Sequence, residues 1–285
     1  MNKLNKFQFY FVVVIMFPIL FSGCKIVSSN IENLSSKGIK IHYIDVGQGD
    51  SELIQVNGKN LLIDSGPKES KRQLFKYLNS LKIKKLDYII ATHPHEDHIG
   101  NMTDVVNKYS VFNFIAPKIT TDTNSFRDMI NCLVRKNLKI IPASPLLRLD
   151  LGKDVKCEIM SPIQSSYVGL NNYSVVLKIT YGKTKFMFMG DSEKTNEKEI
   201  LENNFDVSCD ILKVGHHGST TATSKEFLNK ALPTMAVISC GKGNIYGHPN
   251  KGTINNLNEK KIKIFRTDID GSLIFFSDGN KITKE

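Results

Sequence analysis

The stretch Thr92-His93-Pro94-His95-Glu96-Asp97-His98-Ile99-Gly100 packs three imidazoles and the carboxylate of Asp97 into positions 93–98, directly after an apolar, strand-like run that begins at Leu86. Imidazole nitrogen and carboxylate oxygen are the donors that zinc and similar borderline divalent ions take. No thiolate accompanies them, which points to a catalytic rather than a structural metal. His93 and His95 lie two apart at a strand end, where alternate side chains project to the same side, so they can share one ion. Asp97 and His98 follow as the chain turns into a helical pattern over 99–109, and can face a second ion. A merely polar surface loop is the alternative, and so dense a cluster disfavours it.

Working outward, the same design recurs. Six of the seven histidines fall in three short segments, each just beyond an apolar run. Phe186-Met187-Phe188-Met189-Gly190-Asp191 ends a hydrophobic strand on a carboxylate able to bridge two cations. Ile211-Leu212-Lys213-Val214-Gly215-His216-His217-Gly218-Ser219 opens a strand onto two adjacent imidazoles. On an extended backbone these diverge, leaving one for the ions and one for substrate. Tyr246-Gly247-His248-Pro249 holds a histidine in a turn. The segments 45–50 and 63–66 end strands with glycine and acid. They lack the lysine and hydroxyl of a phosphate loop, and Asp64 is placed to orient a ligand histidine through its ring N–H.

Short β-branched runs alternate with helical patterns and no repeat period appears, which predicts a mixed α/β protein. Strands are expected over 39–46, 52–56, 60–63, 86–92, 111–115, 155–160, 174–181, 184–189, 209–214, 234–238, 263–266 and 271–277. Helices are expected over 69–81, 99–109, 124–137, 194–203, 224–231 and 251–259. Two-residue turns at Asn57-Gly58 and Gly182-Lys183 imply antiparallel hairpins, so a purely parallel sheet is excluded.

The N-terminus reads as an address. Lys3 and Lys6 precede an uncharged run from Phe9 to Phe21, followed by Ser22-Gly23-Cys24-Lys25, the pattern of a secretory signal over 1–23. Cys24 resembles the lipidated first residue of bacterial lipoproteins, with Phe21 standing where leucine is usual. Residues 24–37 then read as a tether and 38–285 as one domain, lipid-anchored to the membrane on its extracytoplasmic side or secreted. Cleavage removes two lysines and no acid, leaving +8 of the formal +10, a balance that suits polyanions or an anionic surface. Cys132, Cys157, Cys209 and Cys240 are widely spaced in apolar patterns, so buried free thiols are expected.

Five motifs in order carry a resemblance: D-V-G-Q-G-D at 45–50, T-H-P-H-E-D-H-I-G at 92–100, M-G-D at 189–191, K-V-G-H-H-G-S at 213–219 and Y-G-H-P at 246–249. The chain resembles the metallo-β-lactamase-fold hydrolases, most of all the soluble domain of ComEC-type DNA-internalisation proteins. The resemblance implies a four-layer αβ/βα sandwich of two mixed sheets, with a dinuclear site at one edge. It implies two divalent ions, zinc foremost and manganese as the alternative. His93 and His95 would bind the first ion, Asp97, His98 and His248 the second, and Asp191 both. Where the superfamily has a further histidine this chain has Asn171-Asn172-Tyr173-Ser174, so His216 or an asparagine oxygen, such as that of Asn172, is the expected substitute. His217, or else His216, takes the proton-donor role, and Asp97 counts among the catalytic groups.

The expected activity is phosphodiester hydrolysis, that of a nuclease, with hydroxide held between the ions as nucleophile. A small lactone, thioester or other ester is the alternative substrate, and a metal-poor nucleic-acid-binding relic is the alternative without catalysis. An aspartate at 191, where β-lactamases of this fold often carry cysteine or serine, disfavours antibiotic hydrolysis. No protein partner is expected.

Overall fold

The structure, a computed structural model, describes residues 38–285. The expected signal, Cys24 and the expected tether, up to residue 37, lie outside the described residues. Fourteen strands follow one another among them: β1 (Ile39–Tyr43), β2 (Glu52–Val56), β3 (Lys59–Ile63), β4 (Lys85–Ile90), β5 (Ser110–Ala116), β6 (Ile140–Pro142) and β7 (Val155–Ser161). The second half adds β8 (Val176–Tyr181), β9 (Thr184–Phe188), β10 (Ile211–Lys213), β11 (Met235–Ile238), β12 (Lys263–Arg266), β13 (Leu273–Ser277) and β14 (Ile282–Lys284). They form an eight-stranded sheet, β14-β13-β1-β2-β3-β4-β5-β6, and a six-stranded sheet, β12-β11-β10-β9-β8-β7.

Each sheet has an antiparallel part and a parallel part, for a local reason. Val56 pairs with Lys59 across Asn57 (φ 52°) and Gly58 (φ 71°), and Tyr181 pairs with Thr184 across Gly182 (φ 57°) and Lys183. Such left-handed turns match the strand twist and make tight hairpins. From β3 to β6 and from β9 to β12 every neighbour is parallel, joined through helices.

Period-two alternation sets the layers. Ile39, Ile41 and Tyr43 of β1 meet Phe186 and Phe188 of β9 in one core between the sheets. Leu53 and Leu62 face the other way, onto Leu74 and Leu78 of the helix Lys71–Ser80. On the second sheet Met187, Leu212 and Ala236 face out onto Phe227 and Leu228 of the helix Lys225–Ala231. Helix, sheet, sheet and helix therefore stack as four layers, the mixed sandwich expected from the sequence. All four cysteines of the described domain are buried and free.

His42, on the outward face of β1, is the histidine outside the ligand segments. Its Nε2 donates to Gln55 Oε1 at 3.1 Å and its Nδ1 accepts from the Tyr77 hydroxyl at 2.9 Å. Burial pushes its pKa down to about 4. Between pH 6.5 and 4 the unfolded chain therefore takes up a proton that the folded chain refuses, and stability falls as the pH drops through that window. His42→Gln is expected to remove up to about 3 kcal/mol of this acid-side loss, read from urea midpoints at pH 7 and pH 4. An unchanged loss would show that the imidazole carries none of it.

Candidate metal centre

The parallel strands of both sheets deliver their carboxyl ends to one edge, the usual place for a site in such sheets. β3 runs into Asp64, β4 into 92–98, β9 into Asp191, β10 into His216 and His217, and β11 into the loop that carries His248. Two close approaches depend on glycine. A Cβ on Gly49 would sit 2.3 Å from the Asp97 carbonyl oxygen, and one on Gly218 (φ 82°) would sit 2.6 Å from Pro249 Cβ. The glycines at 49 and 218 thus let the hairpin end and the 248 loop close on the site.

Donor atoms of Asp97, His98, Asp191 and His217 lie within 4.8 Å of one another, and so do those of His93, His95 and Asp191. Asp191 belongs to both groups. Its Oδ1 is 3.2 Å from His98 Nε2 and 3.4 Å from His217 Nε2, while its Oδ2 is 3.8 Å from His93 Nε2. His98 Nε2, His217 Nε2 and Asp191 Oδ1 are all buried, and none has a hydrogen-bond partner. Protein interiors rarely leave such atoms unsatisfied. Three orphaned donors converging on one point, in a set of nitrogen and carboxylate ligands, fit a divalent ion.

The electrostatics agree. Burial alone would push the carboxyls of Asp97 and Asp191 up and the imidazoles of His98 and His217 down. The attraction between the two sets prevails, so both acids stay ionised, His98 is held well above its usual range and His217 rises to about 10. Protons occupy the metal-free cluster where cations would sit, and metal uptake must release them. His93 lies the other way, neutral because burial and the neighbouring His98 charge both disfavour its proton.

His98, His93, Asp191 and His217 are each braced from behind. His98 Nδ1 is 2.7 Å from Asp64 Oδ2, and Asp64 is itself fixed by the Thr92 N–H and hydroxyl at 2.8 and 2.6 Å. Ser174 Oγ lies 3.3 Å from His93 Nδ1 and accepts the Asp191 N–H at 3.0 Å. His217 Nδ1 faces the Ser239 carbonyl at 2.9 Å and Asp50 Oδ1 at 3.2 Å. Behind Asp50 stands Lys213, its Nζ 2.7 Å from Asp50 Oδ2, both side chains fully buried between the sheets. Burial disfavours both charges, yet the pair holds Asp50 ionised and Lys213 protonated. Burial, with Asp50 alongside, keeps the neighbouring Glu52 carboxyl protonated.

Most of the residues singled out from the sequence meet here, with two shifts in place. The second donor group contains His217 where His248 was expected. His216 (φ 48°) and His217 (φ 51°) adopt left-handed turns rather than extended backbone, which swings His217 inward against Asp191. His248 stands farther out, its ring centroid 6.3 Å from that of His217 and 5.5 Å from that of His216, and burial lowers its pKa to about 4. His216 Nε2 lies 3.7 Å from Asp191 Oδ2, on the side of the group formed by His93 and His95. At the asparagine pair, Asn171 rather than Asn172 lines the cavity. Asn172 turns away, donating to the Val168 carbonyl and to Glu193 Oε2. Asp50, Lys213 and Glu193 are contributors to which the sequence alone assigned no role. A lone lysine inside the apolar run Ile211 to Val214 was the visible hint of the buried pair.

A cavity of 340 Å³ opens over the two groups, its rim completed by Gln48, Asn171, His216, Tyr246 and His248. No helix of the described residues is long and apolar enough to cross a membrane.

Comparison with known proteins agrees with this geometry. The family model described as the metallo-beta-lactamase superfamily matches residues 44–242. ComE operon protein 3 of Bacillus subtilis is 30% identical over 260 residues, covering 84% of this chain and 33% of that protein. Recombination protein 2 of Haemophilus influenzae is 27% identical over 254 residues, covering 87% of this chain and 30% of that protein. The chain thus spans about a third of the length of these curated relatives. Among solved structures, the metallo-beta-lactamase fold protein YhfI from Bacillus subtilis superposes with a TM-score of 0.56 at 14% identity, covering 84% of this chain and 100% of that one.

Proposed function

Because the chain belongs to the metallo-β-lactamase superfamily of metal-dependent hydrolases, we propose that it cleaves phosphodiester bonds, with nucleic acid as substrate. One observation carries the reading: a single buried carboxylate, Asp191, is shared by two donor groups. When bound, two divalent ions would supply an activated water and neutralise charge gathering on the phosphoryl oxygens. His93, His95 and Asp191 would hold one, Asp97, His98, Asp191 and His217 the other.

With His217 engaged as a ligand, His216 is the proton donor to the leaving oxygen. It is partly exposed at the rim, and its Nδ1 lies 2.9 Å from Thr221 Oγ1 and 3.4 Å from Glu193 Oε1, which aims the opposite nitrogen at the cavity. Water adds to phosphorus and gives up a proton to solvent, the bond to the leaving oxygen breaks, and that oxygen takes the His216 proton, which solvent then restores. His248, at the rim, is placed to bind a phosphoryl oxygen. The net charge, +10 for the full chain and +8 after the expected cleavage, favours a polyanionic substrate. The relatives named ComE operon protein 3 and Recombination protein 2 support a nucleic-acid context. The reading sets the domain outside the cytoplasm, tethered through Cys24.

Added zinc or manganese is expected to switch on cleavage of single-stranded DNA and of bis(p-nitrophenyl) phosphate. A chelator should abolish it, and Asp97→Ala should lower it by at least about a hundredfold. Cleavage of lactones or thioesters with no phosphodiester cleavage under either metal would overturn the assignment.

A further inference from the structure

We propose that Tyr246 is a stacking platform for a nucleobase next to the scissile phosphate. This rests on the phosphodiester reading and names the part of the substrate that flanks the reaction. The Tyr246 ring lies nearly parallel to the His248 imidazole, centroids 5.8 Å apart and planes at 23°, yet the residue is 65% exposed. Its neighbour Ile245 is 92% exposed. An open aromatic face at the mouth of a polar cavity is a surface waiting for a flat partner.

The loop that carries it is preorganised. The Asn244 amide donates to the carbonyls of Gly241 and His248 at 2.8 and 2.6 Å, and its oxygen accepts the His248 N–H at 3.0 Å. Gln48, in the loop between β1 and β2, accepts the Gly241 N–H at 3.0 Å. A platform built in advance loses little freedom when a ligand lands.

Chemistry selects the partner. Every base offers a π-face, whatever the sequence, and exposed Lys242 and Lys251 flank the loop with charge for adjoining phosphates. The cavity, at 340 Å³, suits about one nucleotide. A base inside a duplex is already stacked on both faces, so the platform favours single strands and frayed ends.

The test compares two strands of equal length and slowly cleaved phosphorothioate backbone, oligothymidylate and its abasic counterpart, by fluorescence anisotropy with manganese present. The wild-type protein is expected to bind the thymidylate strand at least about fivefold more tightly. Tyr246→Phe should keep that preference and Tyr246→Ala should lose it. Equal affinity of the wild type for both strands, or a preference that survives Tyr246→Ala, overturns the platform. Failure of the phosphodiester reading would look different: no cleavage of any phosphodiester by the wild-type protein.

Discussion

Asp191→Ala is expected to lower phosphodiester hydrolysis by at least about a thousandfold, the largest effect of any single substitution here. The carboxylate is common to both donor groups, so its loss dismantles both at once. Metal stabilisation of developing charge contributes several kcal/mol, and each 1.36 kcal/mol is tenfold in rate. Asp191→Asn keeps the shape without the charge and should fall between the alanine variant and the wild type. Side-by-side kcat/KM values check the prediction, and an alanine variant retaining a tenth of the activity would refute the shared role.

Lys213→Met should cost about 3–5 kcal/mol of stability. The lysine and Asp50 are both buried between the sheets with Nζ and Oδ2 2.7 Å apart, and removing the cation leaves the buried carboxylate with His217 alone to offset it. For a domain of this size the loss corresponds to a Tm lower by on the order of 10 °C. Asp50→Asn added to Lys213→Met should return a substantial part of it, because the stranded charge is gone. Thermal unfolding of the two variants decides the matter, and a single variant as stable as wild type would mean that the pair contributes nothing. Asp50 also faces His217, so the same change should loosen metal binding.

Why some of this was legible in the chain and some was not has a physical basis. Period-two alternation in Ile39 to Tyr43 and Phe186 to Phe188 announced both strands and the faces they bury. Three-residue β6 and β14 escaped because so short a run has no period to detect. The helix expected over 99–109 is broken at Gly100 and Asn101. The Asn101 amide is drawn inward to the carbonyls of Ser65 and Pro67, a tertiary demand that local pattern does not carry. The compact cluster at 93–98 could be read as ligands because its members are neighbours in sequence. The Asp50–Lys213 pair joins residues 163 apart, each unremarkable alone. His217 displaced His248 from the second group because of two left-handed backbone angles, which residue identity at those positions does not announce.

The central claim is that His93, His95, Asp97, His98, Asp191 and His217 converge to hold divalent metal. Metal content per chain, measured by elemental analysis after loading with zinc or manganese and removing the excess, tests it most directly. One to two ions are expected in the wild-type protein and about none in Asp191→Ala. A wild-type protein that retains no metal, or an alanine variant that retains as much, would contradict it.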